Sequence, residues 1–203
     1  MRNFVVTAQG CSGTKFLTKM LNYAEDWTVC HAPAPRHIVR TVSEVQPRFQ
    51  QDCYGEVNSW LRHVAGALDV KARAVILRDP QELACSFDSR NRRMNHDRLK
   101  QKLEFWKEGF DALHQLVISG TPVIWFDQMT TDKAYLQRIG EYLGIGTLWL
   151  PEDALEQQIN ATPAKKRTRT VNDCCRQVQL AYNQIKWFKV KYFDSDREVT
   201  HSV

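Results

Sequence analysis

The sequence predicts an α/β protein, a single three-layer domain over residues 1–203 with a mainly parallel sheet. Three observations lead there. Apolar strand-length runs alternate with stretches at helical spacing along the chain. The first strand runs into a small-residue turn with two glycines and then a helix. A later buried strand ends in Arg78-Asp79-Pro80, a strand-to-helix boundary with proline placed for the first helical position.

The opening stretch is Phe4-Val5-Val6-Thr7, β-branched and apolar, followed by Ala8-Gln9-Gly10-Cys11-Ser12-Gly13-Thr14. From Lys15, the residues Phe16, Leu17, Met20 and Leu21 fall at helical spacing. Strand, turn and helix in that order place backbone N–H groups at a helix N-terminus, where phosphate or sulfate is readily held. Gly10 and Gly13 permit positive φ and close approach, Ser12 and Thr14 offer hydroxyls, and Lys15 adds a positive charge. The alternative is a turn whose glycines only make the bend.

Next, Trp27–Cys30 reads as a short strand ending in the rigid loop His31-Ala32-Pro33-Ala34-Pro35-Arg36-His37. Residues 38–49 are assigned as a short helix despite Pro47. Tyr54–Ser59 follows, and Trp60–Leu68 carries a helical apolar stripe. Ala72–Leu77 is the clearest strand; Asp79 then caps a helix opened by Pro80 and running to Phe87. Asp97–Ile118 is the longest predicted helix, with Leu99, Leu103, Trp106, Phe110, Leu113 and Val117 on one stripe. Pro122–Phe126 is a further strand. Thr130-Thr131-Asp132 caps a helix over Lys133–Leu143 that Gly144 ends. A short helix opens at Leu150 and fades at Asn160, the basic stretch Lys165–Arg169 follows, and a last helix spans Val171–Tyr192 before a polar tail.

Composition narrows the function. With 203 residues and 43% hydrophobic content the chain can bury a real core. A net charge of +5 favours anionic ligands. The basic residues lack the aromatic interleaving of a single-strand nucleic-acid binder, so no nucleic-acid partner is expected. Six cysteines are scattered without a C-x-x-C or a paired His spacing, so neither a zinc site nor a disulfide framework is expected, and a reducing cytoplasm is the simpler home. The first strand starts too near Met1 for a signal peptide, and no apolar run approaches the roughly 18 residues of a membrane span.

The triphosphate loop G-x-x-x-x-G-K-[ST] fails on the first turn: with Gly13 as its last glycine, the first falls on Ala8, the lysine on Thr14 and the hydroxyl on Lys15. A G-x-G-x-x-G reading fails likewise on Ala8. Ser12-Gly13-Thr14-Lys15-Phe16-Leu17 instead resembles the 5′-phosphosulfate loop of the sulfotransferases, a basic residue followed by Ser-Gly-Thr and an apolar helix. Cys11 stands where that basic residue is usual, so Lys15 would supply the charge. The second stretch, Ala74 to Phe87, resembles the family's 3′-phosphate motif: a strand, R-[DN]-P, and a serine eight residues after the arginine, met here by Arg78, Asp79, Pro80 and Ser86. Taken alone, Arg78 and Asp79 would read as a surface pair; two motifs in family order, about 65 residues apart, point to the sulfotransferase reading.

The resemblance covers roughly residues 3–92 and implies a P-loop NTPase-like sulfotransferase fold. It implies transfer of a sulfuryl group from 3′-phosphoadenosine 5′-phosphosulfate, without metal, to a hydroxyl or amine of a small-molecule or saccharide acceptor. By that resemblance Gly10, Cys11, Ser12, Gly13, Thr14, Lys15 and Phe16 form the 5′ loop. Arg78 and Ser86 would hold the 3′-phosphate, and Lys166 and Arg167 would close over the nucleotide. Lys15 is also a catalytic candidate, as stabiliser of charge on the departing phosphate. His31 is the first candidate for the base; many bacterial members carry a His-Glu-Pro run where this chain has His31-Ala32-Pro33. Glu56 is the second. His37 and His63 read as surface or packing histidines, and the basic cluster around Arg90, Arg92, Arg93, Arg98, Lys100 and Lys102 as a solvated face or an attractor for an anionic acceptor. Two rivals stay open: a small-molecule kinase, and a nucleotide-binding relative without chemistry.

Overall fold

A computed structural model describes residues 1–34, 37–78, 83 and 96–156. Five strands make one sheet: β1 (Asn3–Ala8), β2 (Thr28–His31), β3 (Tyr54–Val57), β4 (Ala72–Leu77) and β5 (Val123–Trp125). Their order is β2-β3-β1-β4-β5 and every pairing is parallel. Beside them the described helices are α1 (Thr14–Leu21), α2 (His96–Ile118), α3 (Phe126–Thr131) and α4 (Lys133–Tyr142).

β1 is the centre because it can bury both faces. All six of its residues are buried. Phe4, Val6 and Ala8 pack with Phe16, Leu17, Met20 and Leu21 of α1 and with Tyr135, Leu136 and Ile139 of α4. Val5 faces the opposite layer, with Leu113 and Leu116 of α2 and with Phe49, Leu61 and Leu68 from the connecting turns. Each fully buried leucine or phenylalanine contributes about 1.5–3 kcal/mol. The predicted three-layer α/β architecture with its parallel sheet is the one observed.

Several elements differ from the expectation. Tyr54–Val57, with a glycine and a glutamate in four residues, forms the strand between β2 and β1. Gly55 is needed there: a Cβ would sit 2.1 Å from Cζ of Phe4. Trp60–Leu68 is no helix but two 3₁₀ turns, Ser59–Leu61 and Ala65–Ala67, which still bury Leu61, Val64, Ala65 and Leu68. Asn58 starts the first turn, its side chain accepting from the Trp60 N–H at 3.0 Å. The predicted helix over 38–49 is likewise two turns, Val42–Glu44 and Gln46–Gln50, with Pro47 in the first turn of the second. Phe126 leaves the strand to open α3, and residues 152–156 form a turn. Among the expected features, the helix after Pro80, the basic stretch 165–169 and the final helix lie outside the described residues, apart from the buried Leu83.

Candidate functional site

Residues 9–13 connect the C-terminal end of β1 to α1, at the sheet edge where parallel α/β folds bind ligands. The bend uses two left-handed residues, Cys11 at φ 72° and Gly13 at φ 82°. Gly10, expected to share this role, is not among the positive-φ residues, and a Cβ on it would meet nothing within 4 Å. Gly13 is the constrained position. A Cβ there would lie 2.6 Å from Cε2 of Phe126 and 2.7 Å from Cε of Met129, so only glycine lets the loop rest on α3.

Gly13 is also the N-cap of α1, and with no side chain to accept a hydrogen bond it leaves the first-turn N–H groups without a side-chain cap. The first turn of α1 carries no acid. Both features suit an anion at this helix end. Ser12 is buried, Phe16 packs into the core, and Lys15 is exposed with no ion pair among the described residues.

Two predicted residues come to this loop from other strands. His31, the last residue of β2, places Nε2 3.1 Å from Oγ1 of Thr14. The far end of α1 is docked on the same strand: Nδ2 of Asn22 donates to the Val29 carbonyl at 2.8 Å, and Oδ1 accepts from the Val29 N–H at 3.2 Å. Arg78, just past β4, donates from Nη1 to the Cys11 carbonyl at 2.8 Å. Its guanidinium also stacks over Phe126, 4.2 Å from the ring centroid. The arginine of the second motif thus touches the backbone of the first.

Glu56 is not at this rim. It is fully enclosed on β3, where Oε1 accepts from Tyr54 Oη at 2.8 Å and Oε2 from Asn58 Nδ2 at 3.1 Å. Nε of Arg48 lies 2.8 Å from Oε1, and Nη2 lies 3.2 Å from Oε2. Burial pushes its carboxyl above the usual range, while Asn58, Tyr54 and Arg48 pull it back. Tyr54 is pushed up as well, by burial first and then by Glu56. Ser86, Lys166 and Arg167 lie outside the described residues. His37 is exposed, with Nε2 3.4 Å from Glu44 Oε2, and His63 is half-buried, its imidazole pulled down by burial and then by Arg62 and Arg40.

The sequence reading missed five participants. Asn22, Arg48 and Phe126 belong to no motif. Gln9 and Arg62 both press on α2 at Gly109, where a Cβ would sit 2.4 Å from Gln9 Oε1 and 2.6 Å from Arg62 Nε. Arg62 is only 3% exposed, and burial together with Arg40 brings it down to about 10. A glycine in mid-helix was the available signal for that close approach.

No protein-family model and no curated protein matches this sequence. Among solved structures, the chain is similar to the crystal structure of a sulfotransferase from Alicyclobacillus acidocaldarius. The TM-score is 0.50 at 15% identity, over 79% of this chain and 87% of that one. The two share a fold.

Proposed function

We propose that this chain is a sulfotransferase that moves a sulfuryl group from 3′-phosphoadenosine 5′-phosphosulfate to a hydroxyl or amine. The observation that carries this reading is the convergence of two separate stretches on one loop. Thr14 is joined by His31 from β2, and Cys11 by Arg78 from β4. The shared fold with a bacterial sulfotransferase supports it.

Among the described residues, the uncapped α1 N-terminus, Lys15 and Arg78 have the chemistry to meet the nucleotide. The α1 N-terminus and the loop amides, with Lys15, would hold the 5′-phosphosulfate; Arg78 and Ser86 would hold the 3′-phosphate. The nucleotide supplies the sulfuryl group and a leaving phosphate. What the chain contributes is position and charge. Loop N–H groups and Lys15 face growing negative charge, and Arg78 holds the Cys11 carbonyl so that the bend keeps its shape. His31 takes a proton from the acceptor on its imidazole, with Thr14 orienting the ring. No helix among the described residues is long and apolar enough to cross a membrane, and Cys11, Cys30 and Cys53 are free thiols. A cytoplasmic site of action goes with this reading, and a small molecule or saccharide is the acceptor class.

The test compares ligands by thermal shift. 3′-Phosphoadenosine 5′-phosphate without magnesium should stabilise the protein by about 2.7 kcal/mol at roughly 100 times its Kd. Stabilisation by Mg-ATP alone would overturn the proposal in favour of a kinase. His31→Ala should leave that stabilisation unchanged and slow transfer about 10²–10⁴-fold. Tight nucleotide binding with no transfer to any hydroxyl or amine in an acceptor panel would identify a binding protein instead.

A further inference from the structure

The turn that follows His31 is strained. Ala32 is buried and holds φ at 43°, in the left-handed region that an alanine adopts only when its surroundings impose it. One side chain reaches the same turn from the sheet interior. Arg48 donates from Nη1 to the Ala34 carbonyl at 2.5 Å, while Nε and Nη2 of the same guanidinium lie 2.8 Å and 3.2 Å from the two oxygens of Glu56. Glu56 is fully enclosed and is further held by Tyr54 and Asn58. The turn carrying Arg48 is itself fixed: the Asn3 side chain donates to the Phe49 carbonyl, and the Phe49 ring meets Tyr54 edge-on with centroids 5.6 Å apart. A rigid fork therefore connects the sheet interior to the backbone three residues past His31.

We propose that Arg48, anchored by the buried Glu56, is a positioning residue that imposes the turn after β2 and so keeps the His31 ring on Thr14. Glu56 is thereby the foundation of the base rather than the base. The planar guanidinium suits this task because its donors reach two acceptors in fixed relative directions. An ion pair alone would not: the Ala34 carbonyl must be held at the same time. The catalytic consequence rests on the proposed function, but the geometric claim does not, and the two can be tested apart.

The geometric arm reads the imidazole itself. Long-range proton–nitrogen spectra of the nucleotide-free protein at pH 8 report which nitrogen of each neutral histidine carries the proton. His31 is assigned by its disappearance in His31→Gln. Wild type should show one set of His31 ring-nitrogen shifts, and Thr14→Val, which removes the Thr14 hydroxyl, should move them. Arg48→Lys keeps a charge for Glu56 but cannot span both acceptors, and it should shift His31 as Thr14→Val does. The double variant Arg48→Met with Glu56→Met leaves no orphaned charge and should do the same; if it does not fold, Arg48→Lys carries the test. His31 signals unchanged in Arg48→Lys, or unchanged in Thr14→Val, overturn the proposal. In the transfer assay Arg48→Lys should lower kcat about 10–100-fold, the scale of a small misplacement, with affinity for 3′-phosphoadenosine 5′-phosphate unchanged. A wild-type kcat beside an altered His31 spectrum overturns the catalytic role of the clamp. A protein that binds no such nucleotide fails the proposed function while leaving the spectra to decide the clamp.

Discussion

At the scale of single residues, the two loop glycines separate sharply. Both were legible as bend formers, yet only Gly13 combines positive φ with a neighbour in the way, the Phe126 ring and the Met129 methyl. Gly13→Ala must bear the left-handed penalty and the overlap, and should destabilise the fold by at least about 2 kcal/mol. Gly10→Ala meets open space and should stay within about 0.5 kcal/mol of wild type. Urea denaturation of the two variants checks the contrast, and equal losses would refute the assigned packing. Cys11 takes the second left-handed position, where the residue type predicts no such conformation. Its backbone is held by the hydrogen bond to Arg78 and its side chain by Leu83, Trp106 and Phe110.

At the scale of elements, local chemistry was most readable where a helix end supplies its own partner. Thr130-Thr131-Asp132 was expected to cap the helix beginning at Lys133, and it is Asp132 whose Oδ1 accepts from the Ala134 and Tyr135 N–H groups at 2.8 and 3.1 Å. The second of these steadies Tyr135, whose hydroxyl accepts from the Trp125 N–H at 3.0 Å and ties α4 to β5. Asp132→Ala should cost about 1 kcal/mol, seen as a lower denaturation midpoint with an unchanged slope. The exposed contact of Arg138 with Asp132 at 3.9 Å adds little to that sum. By contrast, the helical stripe of Trp60–Leu68 was realised as two tight turns. Apolar spacing says which residues go inside, and successive turns satisfy it as well as a helix does.

At the scale of the whole molecule, the buried Glu56 links stability to pH. Burial raises its carboxyl above the unfolded value near 4.5, so the native state holds the proton more tightly than the unfolded chain. The stability this contributes is fully present below the unfolded value and is lost as pH rises through the raised native one. Measured against Glu56→Gln, whose side chain does not titrate, wild-type stability should therefore fall as pH rises from the unfolded value of 4.5 through the raised native one. Chemical denaturation of both proteins at each pH gives the difference directly. A difference that grew with pH would mean that Arg48 outweighs burial.

The alternation of strands and helices, the loop after β1, a cap within Thr130–Asp132 and the arginine after β4 are legible from the residues alone. Each is set by neighbours a few residues away through period, capping or backbone freedom. That Tyr54–Val57 is a strand inside the sheet follows from long-range packing, since its pairing with β1 and β2 depends on partners 51 and 26 residues distant in register, such as Asn3 and Thr28 opposite Tyr54. Parallel strands share no turn that would announce their pairing. The same distance separates His31 and Glu56, which the sequence offers as first and second candidate for one task. As isolated residues, both are titratable groups suited to accept a proton. The chain path brings one to Thr14 at the sheet edge and encloses the other among Tyr54, Asn58 and Arg48, because a charge inside an α/β core persists only where several donors converge on it.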